Sequence, residues 1–360
     1  MFFDRLFKNR IWELWCLRKY SFITLGHIVT EQSVIAVSDN SVPKCGGLVD
    51  RLKGIISLFH FSIVTDKRFY INCTFPFDLN KYLIPNEYNW EIILDRYPIY
   101  QFRTLYLIGE MDGERLFSYK GKRSLLIYSN FNLISQLNAC YKTDFSFGEL
   151  FKILFKPSEM VKGKLNIVKN LFCLDNYVAV HFRFQQLLGD FRDVNGNVLD
   201  QNGQKKMISD CLSMLNQIQN KHQDMKFLIF SDSSKFIEKC GECGYTIIPG
   251  TIGHIDFCET DDVFLKTFVD FFLISEAKYT YSVILDQMYP SAFPEYASLL
   301  NNVPFKEYTL WNPKRFKRKT LAVKGTRSRP VDCLHPEEVE ALLRCCRAVP
   351  HWSKSSLWGC

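Results

Sequence analysis

Short unbroken apolar runs alternate with stretches of helical periodicity along this chain. Val34-Ile35-Ala36-Val37 is rich in β-branched residues and reads as a buried strand. A loop follows from Asp39 to Gly47, with Pro43, Gly46 and Gly47 as breakers. Leu48, Leu52, Ile55, Ile56 and Phe59 then recur at 3-to-4 spacing and predict a helix. Arg68 to Asn72 predicts the next strand, and Arg103 to Ile108 and Ser124 to Tyr128 predict two more. Phe145 to Leu171 reads as mostly helical, broken at Pro157.

The second half alternates more regularly. Strands are expected at Tyr177 to Arg183, Lys226 to Phe230, Tyr245 to Ile248 and Tyr279 to Val283. Helices are expected at Lys205 to Lys221, Ser233 to Cys240, Asp262 to Ala277 and Ala292 to Leu300. Strands alternating with helices imply βαβ units and parallel sheets. No internal repeat or low-complexity segment is visible.

A chain of 360 residues suits two domains and a tail better than one domain. The reading divides it into an N-terminal α/β domain (1–160), a second Rossmann-like domain (161–313) and a tail (314–360). At 47% hydrophobic and 23% charged, the composition is globular, which excludes a disordered or collagenous chain. No stretch reaches the ~18 apolar residues of a membrane span. The N-terminus, MFFDRLFKNRIWELW, carries charges where a signal peptide has its apolar run. The 13 scattered Cys suit reduced thiols and a cytoplasmic location, not a disulfide framework.

The net charge of +7 is unevenly placed. From Lys314 onward there are eleven Lys and Arg against four Asp and Glu, so residues 1–313 hold 34 of each sign and are neutral. A neutral body argues against a nucleic-acid binder. The basic run Lys314 to Lys319 belongs to a tail that reads as foreign to the main fold. It is either a solvated segment or a contact for anionic lipids at the inner face of a membrane.

Four places can carry chemistry. Gly46-Gly47 before the Leu48 helix, with Asp50 close behind, lets a ligand approach the backbone at a helix N-terminus. The same turn also occurs with no ligand. His181 and Arg183 lie two apart at a strand end and share one face. Arg183 offers a fork matched to phosphate oxygens, or it pairs with an acid such as Asp190. Ser231 and Asp232, again at a strand end, either hold a base or ribose or cap the next helix. Ser291 caps a late helix, binds phosphate there, or both. Cys240 and Cys243 form a lone CxxC, a weak signal for zinc or redox use. His254 lies in a polar loop, and Glu259 to Asp262 reads as acids at a helix start rather than a metal site.

Taken in order, Gly46-Gly47-Leu48 with Asp50-Arg51, His181-Phe182-Arg183, Phe230-Ser231-Asp232 and Asp270 to Ser275 followed by Ser291-Ala292-Phe293 resemble the motifs of the fucosyltransferase superfamily. That group includes α-1,2-, nodulation-type α-1,6- and protein O-fucosyltransferases. The resemblance implies a GT-B-like α/β fold, two Rossmann-like domains facing across a cleft. It implies inverting, metal-independent transfer from GDP-fucose, with no cofactor, to a hydroxyl of a surface glycan, lipid-linked at the membrane. Arg183 with Ser291 would stabilise the leaving β-phosphate. Gly46, Gly47, His181, Ser231 and Asp232 would hold the donor, and Asp50 or Asp190 would be the general base. Two departures stand out: Phe184 occupies the place of a second Arg, and Gly-Asp comes late, at Gly189-Asp190. The alternatives are a catalytically inactive glycan-binding or assembly protein on the same fold, a transferase of another nucleotide sugar, and a redox or zinc protein using Cys240 and Cys243.

Overall fold

In a computed structural model, residues 32–39, 46–92, 104–107, 116–117, 119, 121–190, 197–253, 255 and 260–310 are described. The basic tail, the N-terminal segment, Pro43, His254 and Glu259 lie outside the described residues, as do Arg103 and Ile108 at the ends of their expected strand.

The first sheet is parallel and four-stranded: β1 (Ser33–Ser38), β2 (Arg68–Cys73), β4 (Thr104–Leu107) and β5 (Ser124–Ile127), in the order β2-β1-β5-β4. β1 is buried at every position, as a strand covered on both faces must be. It pairs with β2 on one side (Val34 with Phe69) and β5 on the other (Val34 with Leu125). Helix α1 (Leu48–Val64) connects β1 to β2. It packs so closely that a Cβ on Gly54 would sit 1.6 Å from the Ser129 carbonyl oxygen.

The second sheet is parallel and five-stranded: β7 (Tyr177–Phe182), β8 (Lys226–Ser231), β9 (Thr246–Ile247), β10 (Tyr279–Leu285) and β11 (Phe305–Leu310), ordered β11-β10-β7-β8-β9. Its helices are α5 (Gln201–Gln219), α6 (Ser234–Glu242), α7 (Asp261–Ser275) and α8 (Ala292–Leu299).

Between the sheets, the expected helical stretch from Phe145 divides in three. Helix α3 (Phe147–Leu154) starts from a Ser146/Glu149 capping box. β6 (Phe155–Pro157) follows and pairs antiparallel with β3 (Leu83–Pro85). Ser158 then caps α4 (Glu159–Phe172). Pro157 therefore ends a helix and closes a short strand, where its missing N–H is tolerated. Helix α5 begins four residues before its expected start, because Asp200 accepts from the Gly203 amide and caps it. Helix α2 (Ile134–Tyr141) and the edge strand β11 were not foreseen. β11 is half-buried at best over its described side chains and has no apolar run to announce it.

The halves share a core. Tyr82 stacks on Phe268 of α7 at 4.7 Å, and Phe77 meets Phe264 at 5.1 Å. At the edge of this cluster, the Tyr82 hydroxyl donates to Asp261 (3.1 Å) and Lys81 pairs with the same carboxylate (3.0 Å). One apolar cluster runs from α1 and α3 into α7, and a second surrounds α5, β8 and α6. Among the described residues, no helix is long and apolar enough to cross a membrane.

Candidate functional site

Strand order reverses beside β7: β8 and β9 lie on one side, β10 and β11 on the other. In open α/β sheets, the crevice outside the carboxyl ends of strands at such a point takes the ligand. A cleft of about 320 Å3 opens there. It is walled by the ends of β7 and β8, the start of α8, part of α7 and the first turn of α1 from the other sheet.

Alternation along β7 decides which side chains enter it. His181 and Arg183 line the cleft. Phe182 and Phe184 point the other way and pack on Phe236, at 4.6 and 4.9 Å between ring centres. Phe184 is fully buried and is not a missing arm of the cleft. Arg183 is held by Asp232, Nε to Oδ2 at 3.2 Å. Asp232, itself buried, also accepts from the Phe184 and Gln185 amides, both at 2.8 Å. Burial pushes the Asp232 carboxyl up, against the pull of Arg183 and of the amides. Asp232 thus lines the cleft but spends both oxygens on fixing Arg183 and the loop after β7. His181 is buried, and its Nδ1 has no hydrogen-bond partner. Burial, then the charge of Arg183, lowers its pKa to about 3, so the ring is neutral at physiological pH.

Asp190 supports this wall from behind, and Ser231 forms part of it. Asp190 accepts from the Ser233 hydroxyl and the Lys235 amide, each at 2.8 Å. This places it at the α6 N-terminus and not among the cleft-lining residues. Ser231 lines the cleft, and its hydroxyl accepts from the Ser233 amide at 3.1 Å.

The opposite wall begins at the glycine turn. Gly46 has φ +76°, and a Cβ there would lie 2.6 Å from Asp50 Oδ2. Its glycine is therefore required both by backbone and by the room Asp50 needs. The buried Arg51 pins the turn by donating to the Gly46 carbonyl at 2.8 Å. Gly47 is the N-cap of α1 and brings no side-chain cap. Asp50 projects into the cleft, paired with Lys53 at 2.7 Å. Lys53 lies over the Tyr296 ring at 5.7 Å.

The third wall holds a pair of which the sequence reading names Asp270 alone, as the start of a motif and with no role of its own. Lys266 and Asp270 sit one turn apart on α7, Nζ 2.6 and 2.5 Å from the carboxylate oxygens. Both line the cleft and are largely buried. Burial raises the Asp270 carboxyl and Lys266 opposes it. The detectable signal was a Lys and an Asp at i, i+4 inside an otherwise apolar helix. Ser291 caps α8, its hydroxyl accepting from the Phe293 amide at 3.3 Å. With Tyr289, it forms the last side of the opening.

Three cations (Arg183, Lys53 and Lys266) and the N-termini of α1 and α8 therefore converge on one cleft. Helix N-termini and guanidinium forks are the groups that hold phosphate. Among the described residues, no group of three His, Cys, Asp or Glu is arranged to hold a metal ion.

No family profile matches the chain, and no curated protein matches it. Solved structures do. A mutant of Arabidopsis thaliana FUT1 in complex with GDP aligns over 81% of this chain and 72% of its own, at 14% identity and a TM-score of 0.52. The fucosyltransferase NodZ from Bradyrhizobium aligns over 78% of this chain and 96% of its own, at 13% identity and a TM-score of 0.49. The fold is a GT-B fucosyltransferase-like α/β architecture with two parallel sheets.

Proposed function

We propose that this chain is an inverting, metal-independent glycosyltransferase that moves fucose from GDP-fucose to a glycan hydroxyl. One observation carries the reading. Arg183, braced by the buried Asp232, points into a switch-point cleft that two helix N-termini also enter. That arrangement suits a nucleoside diphosphate. FUT1, whose fold the chain shares, was solved with GDP, which supports guanosine diphosphate as the leaving group.

In the transfer, an acceptor oxygen bonds to the anomeric carbon as the bond to the β-phosphate oxygen breaks. The electron pair of that bond stays on the phosphate. Arg183 and the α8 N-terminus at Ser291 meet the growing charge, and a donor already in place needs no reorganisation as it forms. The acceptor proton passes to Asp50, the carboxylate that reaches the cleft from the α1 wall. Asp190 is engaged at the α6 cap and takes no part. Neutral His181, with its buried unpaired Nδ1, and the Asp270 carboxylate are placed for the polar edge of the base.

The unit 1–160 then supplies the acceptor side and 161–313 the donor side. The acceptor is a surface polysaccharide precursor on a lipid carrier, met by a cytoplasmic enzyme at the inner face of the membrane. The Lys314 to Lys319 run would aid that contact, and salt-sensitive pelleting with anionic liposomes tests it. Phe184, where the resemblance expects a second Arg, would suit an inactive binding protein only if that position faced the cleft, and it is buried in the core behind it.

The deciding experiment is thermal unfolding with GDP, UDP or CMP in EDTA, on wild type and Arg183→Ala. A ligand at ~100 times its dissociation constant adds about 2.7 kcal/mol. Stabilisation by GDP alone, lost in the variant, is the expected result. No shift with any nucleotide refutes the reading. A response to UDP or CMP keeps the transferase and changes the donor.

A further inference from the structure

Three aromatic side chains stand out because they are exposed where most other described rings are buried: Phe75 (45%), Phe131 (38%) and Tyr289 (52%). Each follows the carboxyl end of a sheet strand. Phe75 comes just after β2, Phe131 after β5 and Tyr289 after β10. Of the three, Tyr289 lines the cleft, and Phe75 and Phe131 lie outside its lining. An exposed ring at the mouth of a cleft is a candidate contact for a ligand.

Their backbones are fixed while their rings are not covered. The Tyr289 amide donates to the Arg183 carbonyl at 3.4 Å. The Phe131 amide donates to the Ser129 hydroxyl at 3.3 Å, and its carbonyl accepts from Ser57 at 3.1 Å. Its neighbour Asn132 donates to the Tyr296 hydroxyl at 2.9 Å, on the ring beneath cleft-lining Lys53. A ring on a fixed backbone has only its two side-chain torsions to lose on binding, which favours it as a contact. The groups suited to a nucleotide, Arg183, His181 and Asp270, are more buried than these rings. The rim rings are therefore left for another part of the reaction.

We propose that Tyr289, at the cleft mouth, and Phe131, linked to the α1 wall through Asn132, Tyr296 and Lys53, are stacking platforms for pyranose rings of the acceptor glycan. This rests on the transferase reading above. One face of a pyranose carries several C–H bonds, slightly positive at hydrogen, and the face of an aromatic ring is negative. The sugar's hydroxyls point outward to the polar walls, and one of them is presented to the donor.

Saturation-transfer NMR on the full chain, with lactose and N,N′-diacetylchitobiose as probes and saturating GDP, tests this. Pyranose C–H signals should take up saturation with the wild type. Tyr289→Ala should lower it about fivefold, in line with an aromatic contact, and adding Phe131→Ala should lower it further. Tyr289→Trp should keep it. The thermal shift with GDP should be unchanged in Phe131→Ala, a residue outside the cleft lining. Absent saturation with the wild type, or equal saturation in the alanine variants, overturns the proposal. So does a weaker GDP shift in Tyr289→Ala, which would give the ring to the nucleotide. A wild type that binds the disaccharides but not GDP would refute the donor reading and leave the platforms standing.

Discussion

Arg183 and Asp232 form a partly buried ion pair in which the acid is the more enclosed partner, 6% exposed against 22% for the arginine. The carboxylate is also the acceptor for two consecutive backbone amides. The pair therefore joins two strand ends, β7 and β8, and aims a guanidinium that neither strand would fix alone.

Removing the arginine should cost stability as well as function. Arg183→Ala leaves a buried carboxylate with its amides but without its cation, which should lower stability by about 1.5–3 kcal/mol. The double variant Arg183→Ala/Asp232→Asn should be less destabilised than the sum of the singles, since the two share one interaction. Arg183→Lys should not restore nucleotide binding, because an ammonium cannot pair with Asp232 and a phosphate as a planar fork does. Urea unfolding of the four proteins, beside GDP titrations, measures both. Additive losses would show that the pair is not a unit.

The glycines of α1 and its cap should separate folding from binding. Gly54→Ala drives a methyl group to within 1.6 Å of a backbone oxygen, so α1 must move off the first sheet. A loss of at least about 3 kcal/mol is expected. Gly47 has φ −69° and nothing within 4 Å of an added Cβ, so Gly47→Ala should change stability by less than about 0.5 kcal/mol. Because Gly47 lines the cleft, the same methyl group should weaken GDP binding. A Gly47→Ala protein with unchanged GDP affinity would show that the ligand does not approach this turn.

Much of this architecture was legible because parallel strands are covered on both faces. Val34 to Val37 and Tyr177 to Phe182 are apolar in nearly every position, and the structure buries them all. The ends of β7 and β8 were legible for the same reason, since a polar residue directly after such a run must face a crevice or solvent. β3, β6 and β11 were not, because a three-residue pairing and an exposed edge leave no run to detect. For the site, the sequence showed which residues stand at strand ends but not which side chains meet. The sequence reading offers Asp190 as a partner for Arg183 and Asp232 as a cap of the next helix. Only tertiary packing sends one to a helix cap and the other to Arg183. Asp270 was legible as the start of a motif, but its pairing with Lys266 was hidden because the surrounding helix reads as core.

The two cysteines of the lone CxxC differ in environment. Cys240 is fully buried, and burial pushes its thiol up to about 12, whereas Cys243 is exposed. A redox pair needs a reactive, accessible thiolate. Iodoacetamide on the native protein, read by peptide mass spectrometry, should label Cys173 and Cys243 readily. It should leave Cys73, Cys211 and Cys240 protected until the chain unfolds. Fast labelling of Cys240 under native conditions would revive the redox reading.

Two buried histidines should make the protein acid-sensitive in the mild range. Burial lowers His60 to about 4, and burial with the charge of Arg183 lowers His181 to about 3. Unfolded, both titrate near 6.5. Between those values the unfolded chain binds protons that the native protein refuses, so stability falls as pH drops below about 6.5. Each histidine contributes a slope of up to about 1.4 kcal/mol per pH unit. The decline continues until the pH reaches the folded values. His60 anchors its Nε2 to the Thr143 hydroxyl at 3.0 Å, so His60→Gln disturbs packing. His181→Gln in the cleft wall is the cleaner probe. Urea unfolding between pH 7 and pH 4.5 should show a shallower decline for His181→Gln than for wild type, by roughly one histidine's share. Equal slopes would mean that His181 accepts a proton in the native state. It would then be a cation beside Arg183, and the neutral ring assigned to the nucleotide edge would have to be abandoned.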